Sequence, residues 1–217
     1  MNTFYLALCA VASYLLGSIP TAIWYGEAYF GIDIRQHGSG NAGATNTLRV
    51  LGKKAGSVVI LIDIMKGWVA TSLASGLYFL HVIDVNELVI YKLAFGVLAV
   101  LGHVFPFWAK FKGGKGVATL LGMAFAVHSE AAFICLGVFL LIFLITHFVS
   151  LGSMLAAVSF PVMMLMKVFG TEHLGTIIFG ITMSLLVIIT HRKNIKRLLT
   201  GTETKIFLFK TKKTSEV

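Results

Sequence analysis

The sequence predicts an all-α integral membrane protein, because its composition and its hydropathy pattern agree. Hydrophobic residues make up 57% of the 217 residues and charged residues only 12%, and the mean hydropathy is +0.88. Apolar runs long enough to cross a bilayer recur along the chain, without the alternating pattern of barrel strands. We therefore expect a single transmembrane helical domain over residues 1–217.

Seven apolar runs are the predicted membrane spans. The first lacks a basic leading region and a cleavage site, which indicates an uncleaved span rather than a signal peptide. The Gly-Ser-Ile-Pro sequence at residues 17–20 predicts a kink near the end of that run. The fourth run is short for a span. The runs cover residues 3–24, 56–80, 88–108, 117–129, 131–149, 151–169 and 174–190.

The distribution of basic residues predicts the orientation of these spans. If the fourth run crosses the membrane, 15 of the 18 Lys and Arg residues lie on one face, which is the cytoplasmic face by the positive-inside rule. If it does not cross, the eight bases of the C-terminal tail lie outside, against that rule. We therefore predict seven spans, with the N-terminus outside and the C-terminus in the cytoplasm.

Charged and thiol groups inside the apolar runs need a separate interpretation. Asp63 and Lys66 are three positions apart on one helical face, at a depth where charge is costly. They form either a buried structural ion pair, or a site in which Lys66 faces a bound anion and Asp63 fixes it. Cys9 and Cys135 both lie in apolar runs, which argues against disulfide, metal or nucleophile roles. The net charge of +9 suits anionic lipids or anionic substrates rather than nucleic acid.

The polar segment after the first run contains the glycine loop, residues 38–46, which predicts a phosphate site. It offers backbone N–H groups and short donors, has no acid, and is preceded by Arg35. Its glycine spacing matches the dinucleotide-binding fingerprint, but the required strand and crossover helix are missing. A flexible interhelical loop is the alternative. We predict Ser39 as catalytic, and as substrate-binding residues Gly40, Asn41, Gly43, Ala44, Thr45, Asn46 and Arg49.

A second basic segment, the lysine loop of residues 110–116, lies between the third and fourth runs. It is not a Walker A motif, because Lys115 is followed by glycine rather than Ser or Thr. Glycines, a lysine and a helix start still favour phosphate binding, whereas a simple positive-inside anchor would not need the glycines. We predict Lys115 as catalytic, and as substrate-binding residues Lys112, Gly113, Gly114 and Gly116.

The third polar segment, the tail segment of residues 191–203, follows the last run. His191 and Asn194 at a cavity edge can donate to an oxyanion or orient a hydroxyl, so we predict both as catalytic. Glu203 either binds substrate or anchors the segment. The bases between them are expected to face lipid headgroups, and these are Lys193, Lys196 and Arg197.

Several common chemistries are missing from the sequence. It contains no His-x4-Asp, no Gly-x-Ser-x-Gly, and no His/Cys cluster with zinc spacing. An enzyme built on these loops would handle an already activated substrate by positioning and charge stabilisation. We expect no metal and no cofactor. The competing class is a transporter of small phosphorylated anions, but the sequence shows none of the internal repeats expected of one.

The three segments together resemble a known family. The chain reads Ser-Gly-Asn-Ala-Gly-Ala-Thr-Asn over 39–46, Gly-His-Val-Phe-Pro over 102–106, Phe-Lys-Gly-Gly-Lys-Gly-Val-Ala-Thr over 111–119, and His-Arg-Lys-Asn-Ile over 191–195 with Arg-Leu-Leu-Thr-Gly-Thr-Glu over 197–203. These resemble the signature loops of the bacterial acyl-phosphate:glycerol-3-phosphate acyltransferases, in order and spacing and over nearly the whole chain.

The resemblance implies an activity and a location. A fatty acyl group would pass from acyl phosphate to the 1-hydroxyl of glycerol 3-phosphate, giving 1-acyl-glycerol 3-phosphate (lysophosphatidic acid) and phosphate in phospholipid biosynthesis. The protein would be a monomer in the bacterial inner membrane, in contact with membrane lipids, with its active site on the cytoplasmic side. The acyl chain would lie in a groove between spans that is open to the bilayer.

Roles for the predicted residues follow from both the resemblance and the chemistry. The glycine loop and Lys115 would hold the acyl phosphate, while Arg49, Lys115 and His191 would hold glycerol 3-phosphate. Asn194 would orient the attacking hydroxyl or the carbonyl. The general base is left open between the substrate's own phosphate, His191 and His103.

Overall fold

The structure is a computed structural model that describes residues 2–170 and 173–207. Within these ranges it contains ten α-helices, two short 3-10 helices and no β-strand. The tail bases Lys210, Lys212 and Lys213 lie outside the described residues. The helices are α1 (Asn2–Gly17), α2 (Thr21–Phe30), α3 (Ala44–Leu51), α4 (Lys53–Phe79), α5 (Val85–Val104), α6 (Val117–Val127), α7 (Ser129–Thr146), α8 (Val149–Leu165), α9 (Leu174–Thr190) and α10 (Arg192–Leu199), with 3-10 turns at Ile34–Gln36 and Phe107–Ala109.

The predicted kink in the first apolar run is a break between two helices. α1 ends at Gly17, α2 begins at Thr21, and their axes differ by 46°. Pro20 directly precedes α2, where the N–H that proline lacks would have had no partner within the helix. The prediction of a kink at residues 17–20 is confirmed.

Length and composition identify three to five candidate spans in the described part of the chain. Three are single helices: α4, α7, and α5 extended to Ala109. Two more are bent pairs, α1 with α2 and α9 with α10, if each pair crosses as one unit. α6 and α8, with 11 and 17 residues, are shorter apolar helices. The protein is therefore a helical, multi-pass membrane protein, and the count of seven spans stays a prediction.

Glycines allow the backbones of neighbouring helices to touch. A Cβ atom at Gly67 of α4 would overlap the carbonyl of Thr119, and one at Gly122 of α6 would overlap the carbonyl of Ile64. Position 67 is thus opposite 119, and 64 is opposite 122, so α4 and α6 run antiparallel in direct contact. This contact fixes α6, and with it the lysine loop, against the longest helix.

Asp63 and Lys66 of α4 belong to a buried network at the α1–α2 break. Lys66 Nζ lies 2.9 Å from Asp63 Oδ1 and donates to the carbonyl of Ile19 at 2.9 Å. Thr21 Oγ1 donates to the same Asp63 oxygen at 3.1 Å. The interpretation as a buried structural ion pair is confirmed, and the pair holds the start of α2 against α4.

The helices give the molecule two ends of different chemistry. One, the site end, carries the glycine loop, the lysine loop, the α7–α8 turn and the α9–α10 bend. The other carries the N-terminus of α1, where Asn2 donates to the carbonyl of Val82 at 3.1 Å, and the α6–α7 turn, where the His128 ring lies 4.5 Å from Phe169. All three predicted phosphate-binding segments lie at the site end.

Candidate active site

A cavity of about 440 Å³ extends from the site end into the space between α6, α7, α8 and α9. Its polar mouth is lined by the glycine loop, Arg49, Lys115 and the tail segment. Its apolar lobe is lined by side chains of the four helices, such as Leu121, Phe139 and Met183. One continuous space therefore joins a cationic, amide-rich mouth to a hydrocarbon-like interior.

Asn46 holds the glycine loop in shape. Its Oδ1 accepts from the Ser39 backbone N–H at 2.8 Å and from Ser39 Oγ at 3.1 Å. Its Nδ2 donates to the carbonyls of Ile34 and His37 at 3.0 and 2.9 Å. Gly40 lies in the left-handed region with φ +72°, which favours glycine. The loop is thus pre-shaped, with the exposed Ser39 held at the mouth.

The lysine loop folds over the end of α5. Gly113 and Gly114 donate to the carbonyls of Val104 and His103, both at 3.2 Å. A Cβ atom at Gly113 would overlap the His103 carbonyl, and one at Gly114 would overlap the His103 ring, so both positions require glycine for close approach. This packing places the next residue, Lys115, at the mouth.

Lys115 connects the lysine loop to the tail segment. Its Nζ donates to Oδ1 of Asn194. Burial lowers the pKa of Lys115 to about 8, Glu203 counteracts the shift, and the nearby guanidinium groups of Arg197 and Arg49 lower it further. A phosphate group entering the mouth would favour the charged form of this lysine.

The α9–α10 bend places two predicted catalytic residues on the cavity wall. The helix does not continue straight past the last span; it bends by 62° at His191. His191 Nδ1 lies 2.8 Å from the carbonyl of Val187, which only accepts, so Nδ1 carries the proton and Nε2 is left as an acceptor. Both His191 and Asn194 are buried and line the mouth.

Glu203 anchors the tail segment. Its Oε1 accepts from Ser150 Oγ at 2.8 Å and from Asn194 Nδ2 at 2.7 Å, and its Oε2 accepts from Arg197 Nε at 2.6 Å. Burial opposes ionisation, but these hydrogen bonds outweigh it and lower the pKa of the carboxyl group. The carboxylate therefore joins α8, α10 and the chain after α10 at one point.

Arg49, in α3, brings a further cation to the mouth. Its Nη2 donates to the carbonyl of Thr204 at 3.1 Å, while its buried Nε has no hydrogen-bond partner in the described part of the chain. Burial lowers the pKa of Arg49, and the residue remains a cation because its reference value is far above neutrality. Arg49 therefore has a hydrogen-bond donor, its Nε, that no protein group in the described part of the chain uses and that an anion could pair with.

Comparisons with known proteins identify the family. The family model described as Glycerol-3-phosphate acyltransferase matches residues 7–201. The chain belongs to the glycerol-3-phosphate acyltransferase family. A family relative from Chlorobaculum tepidum is 44% identical, with 95% of this chain and 97% of that protein covered, and one from Salinibacter ruber is 40% identical, with 94% and 93% covered.

Solved structures support the same membership. The crystal structure of PlsY (YgiH), an integral membrane glycerol 3-phosphate acyltransferase, in its glycerol 3-phosphate form is 38% identical, with a TM-score of 0.79 and 93% of this chain and 96% of that chain covered. Its lysophosphatidic acid form is 37% identical with a TM-score of 0.76, covering 93% and 95%. The predicted family is confirmed.

Most of the residues predicted from sequence in this acyltransferase meet at one cavity. All predicted residues of the glycine loop and the tail segment line it, together with Arg49, Lys115 and Gly116. The wall does not include three predicted substrate-binding residues. Lys112 is exposed, and Gly113 and Gly114 pack against the end of α5 instead.

The structure adds residues that the sequence analysis assigned elsewhere or did not single out. Lys193 and Arg197 line the mouth, although both were expected to face lipid headgroups. The bend at His191 turns α10 so that these two side chains reach the cavity. Ser150, which holds Glu203, also lines it. No sequence signal for Ser150 was available, because its partner is 53 positions away.

The remaining candidates divide between wall and interior. His103 lines the cavity, and its Nδ1 lies 3.6 Å from Asp63 Oδ1. Lys66 points to the α1–α2 break and does not line the cavity, so the interpretation in which it faces a bound anion is wrong. Within the described residues no group of three His, Cys, Asp or Glu side chains is arranged to hold a metal ion.

Proposed function

We propose that this member of the family transfers a fatty acyl group from acyl phosphate to the 1-hydroxyl of glycerol 3-phosphate. The products are 1-acyl-glycerol 3-phosphate, which is lysophosphatidic acid, and inorganic phosphate. One observation carries the proposal: a cationic, amide-rich mouth opens directly into an apolar lobe within a single cavity. The related solved structures in glycerol 3-phosphate and lysophosphatidic acid forms match an acceptor and a product of this reaction.

The mouth has enough hydrogen-bond donors and cationic side chains to bind two phosphate groups. We assign the glycine loop and Lys115, which line the mouth, to the acyl phosphate. The Ser39 hydroxyl would reach that phosphate by exchanging its hydrogen bond to Asn46 for one to the ligand. Arg49 also lines the mouth, and its Nε has no hydrogen-bond partner in the described part of the chain, so we assign its guanidinium to the phosphate of glycerol 3-phosphate. We assign Lys115 to both phosphates.

The reaction proceeds by direct attack on a mixed anhydride. The 1-hydroxyl oxygen bonds to the carbonyl carbon, the bond from that carbon to the phosphate oxygen breaks, and the phosphate leaves with the electron pair. The hydroxyl proton passes to the departing phosphate. Lys115 and the loop amides stabilise the charge on the leaving group, and Asn194, held by Glu203, orients the reacting groups. His191 Nε2 accepts a hydrogen bond from a glycerol 3-phosphate hydroxyl.

The topology that we propose keeps seven spans, with the site end in the cytoplasm of a bacterium and the protein a monomer in the inner membrane. α6 is only 11 residues long, but it runs from the lysine loop to the level of Lys92, whose Nζ donates to the carbonyl of Ala126 at 2.9 Å. Lys92 lies 12 positions before the end of α5 at Val104, which is roughly 18 Å of helix. This supports α6 as a short crossing helix.

The proposed activity is tested by release of inorganic phosphate from acyl phosphate. The purified protein should release phosphate only when glycerol 3-phosphate is present, and lysophosphatidic acid should form in equal amount. Ser39→Ala and Lys115→Ala should each lower this rate by at least about a hundredfold, because a charge-stabilising donor is lost. Lys54→Ala, a change at an exposed base of the same end, is the control.

Two results would contradict the proposal. Wild-type rates in both Ser39→Ala and Lys115→Ala would remove the assigned site. Uptake of glycerol 3-phosphate into vesicles, without any phosphate release from acyl phosphate, would instead favour the transporter.

A further inference from the structure

The apolar lobe has a defined depth. Along α9 the lining residues run from His191 at the mouth to Phe179, 12 positions earlier, which corresponds to roughly 18 Å of helix. Along α8 they run from Ser150, which contacts Glu203, to Phe160. The deepest lining residues on these two helices are therefore both phenylalanines.

The two phenylalanines pack against each other at the deep end of the lobe. Their ring centroids are 6.2 Å apart with the planes at 87°, an edge-to-face contact. Phe160 and Phe179 are only 6% and 7% exposed. They belong to the same packed core as Met123, Met163 and Met164. A chain that reached the rings would have to displace close-packed side chains to go further.

The side chains that line the walls of the lobe are small, whereas the two rings at its deep end are large. Ala156 and Ala157 of α8 and Gly180 of α9 line it. A Cβ atom at Gly180 would lie 2.9 Å from Cδ1 of Phe160, so glycine is what leaves room for the ring in its present place. Ser184 in the same wall donates to the carbonyls of Gly180 and Ala157, so its hydroxyl is satisfied within the protein. This wall thus offers an apolar surface that suits a hydrocarbon chain.

We propose that Phe160 and Phe179 form a floor that limits the length of the acyl chain that the enzyme transfers. The inference rests on the proposed function, in which the acyl group occupies the apolar lobe. Each methylene that fits above the floor adds apolar burial and strengthens binding. A methylene beyond it would overlap the packed rings, so chains longer than the lobe are disfavoured.

The test measures kcat/KM for a series of saturated acyl phosphates that differ by two carbons. Phe160→Ala and Phe179→Ala should move the preferred length upward. For the first substrate longer than the wild-type optimum, kcat/KM relative to that optimum should rise roughly tenfold, because two further methylenes can be buried. An unchanged length profile in two active variants would overturn the proposal.

A filling variant tests the same floor from the opposite direction. Ala157→Phe narrows the lobe above the floor and should move the preferred length downward. If the alanine variants do not fold, this variant decides alone, and an unchanged profile overturns the proposal. Phe133→Ala is the matched control, because that ring lies on α7, is 64% exposed and does not line the cavity.

The outcomes separate the floor from the proposed function. If the wild-type protein transfers no acyl group from any acyl phosphate, the proposed function fails. If it transfers acyl groups and every variant keeps the wild-type length profile, only the assignment of the floor fails.

Discussion

The contacts of Lys115 set the position and the pKa of its amine at the mouth of the cavity. Its amine is held by Asn194, which is itself held by Glu203, and its charged neighbours at the mouth include Arg49 and Arg197. Burial and these cations lower its pKa to about 8, into a range where pH can change its charge. A lysine with its ordinary pKa would stay charged well beyond that range.

The pKa of Lys115 predicts a loss of activity in alkaline solution. As pH rises through about 8, the amine of the free enzyme loses its proton, and its attraction for phosphate groups is lost with it. With acyl phosphate held far below saturation, so that the free enzyme is the starting state, we expect kcat/KM for glycerol 3-phosphate to fall about tenfold per pH unit above that value. The substrate does not cause this fall, because its phosphate is already a dianion above a second pKa of about 6.

A pH profile of kcat/KM is the measurement, with Lys115→Arg as the comparison. Arginine keeps its charge throughout the range, so residual activity in that variant should show no such alkaline fall. A wild-type profile that stays flat two units above the pKa of Lys115 would contradict the role given to it.

Arg49 makes a second prediction at the residue scale. In the proposed function its guanidinium would contact the phosphate of glycerol 3-phosphate in ground and transition states alike, so Arg49→Ala should mainly raise KM. Loss of a charge-assisted hydrogen bond predicts a rise of roughly ten- to a hundredfold. Steady-state kinetics over glycerol 3-phosphate concentration provide the measurement, and Arg49→Lys tests how much the charge alone restores. A fall in kcat at unchanged KM would argue against this assignment.

At the scale of elements, the short helix α6 depends strongly on its packing partner for its position. α6 carries the lysine loop at its N-terminus and lies against α4 with backbone contacts on both sides of the crossing. An eleven-residue helix has little apolar surface of its own, so its place depends on this contact. Small shifts of α6 are transmitted directly to Lys115.

Gly122→Leu tests that dependence. The new side chain would overlap the backbone of Ile64 and push α6 away from α4. We expect the thermal midpoint of the purified protein to fall and transfer to be largely lost, with a cost of about 1–3 kcal/mol or more from overpacking. The control is Gly137→Leu on α7, where an added Cβ meets open space. Equal stability and activity in the two variants would show that the α4–α6 contact is not needed.

At the scale of the whole molecule, the polar and the apolar residues that line the cavity lie at different levels along the helix axes. The three segments predicted to bind phosphate meet at the site end, and the apolar lobe extends from them between α6, α7, α8 and α9. A substrate with a charged head and a hydrocarbon tail can therefore keep both parts in suitable surroundings during the reaction.

The seven-span topology predicts which residues are reached from each side of the membrane. In a background with Cys9→Ala and Cys135→Ala, Glu130→Cys should react with an impermeant maleimide on intact cells. Lys112→Cys should react only after the cells are opened, because α6 separates the two positions. Labelling of both from the same side would show that α6 does not cross, and the spans would then number six.

The amino-acid sequence is sufficient to predict the class of fold and most of the residues that line the mouth. An apolar run reveals a membrane span within one stretch of sequence. The last predicted span, 174–190, accordingly has the same bounds as α9. The glycine and lysine loops also predict a phosphate site from local sequence, because the chemistry of amides and amines does not depend on distant partners.

Which side chains share the cavity depends on contacts between distant parts of the chain. The bend at His191 turned Lys193 and Arg197 toward the cavity, and close packing on α5 kept Gly113 and Gly114 off its wall. The floor formed by two phenylalanines from different helices also has no sequence signature. These features depend on contacts between residues distant in the chain, and hydropathy and motif spacing report only on residues that are near one another.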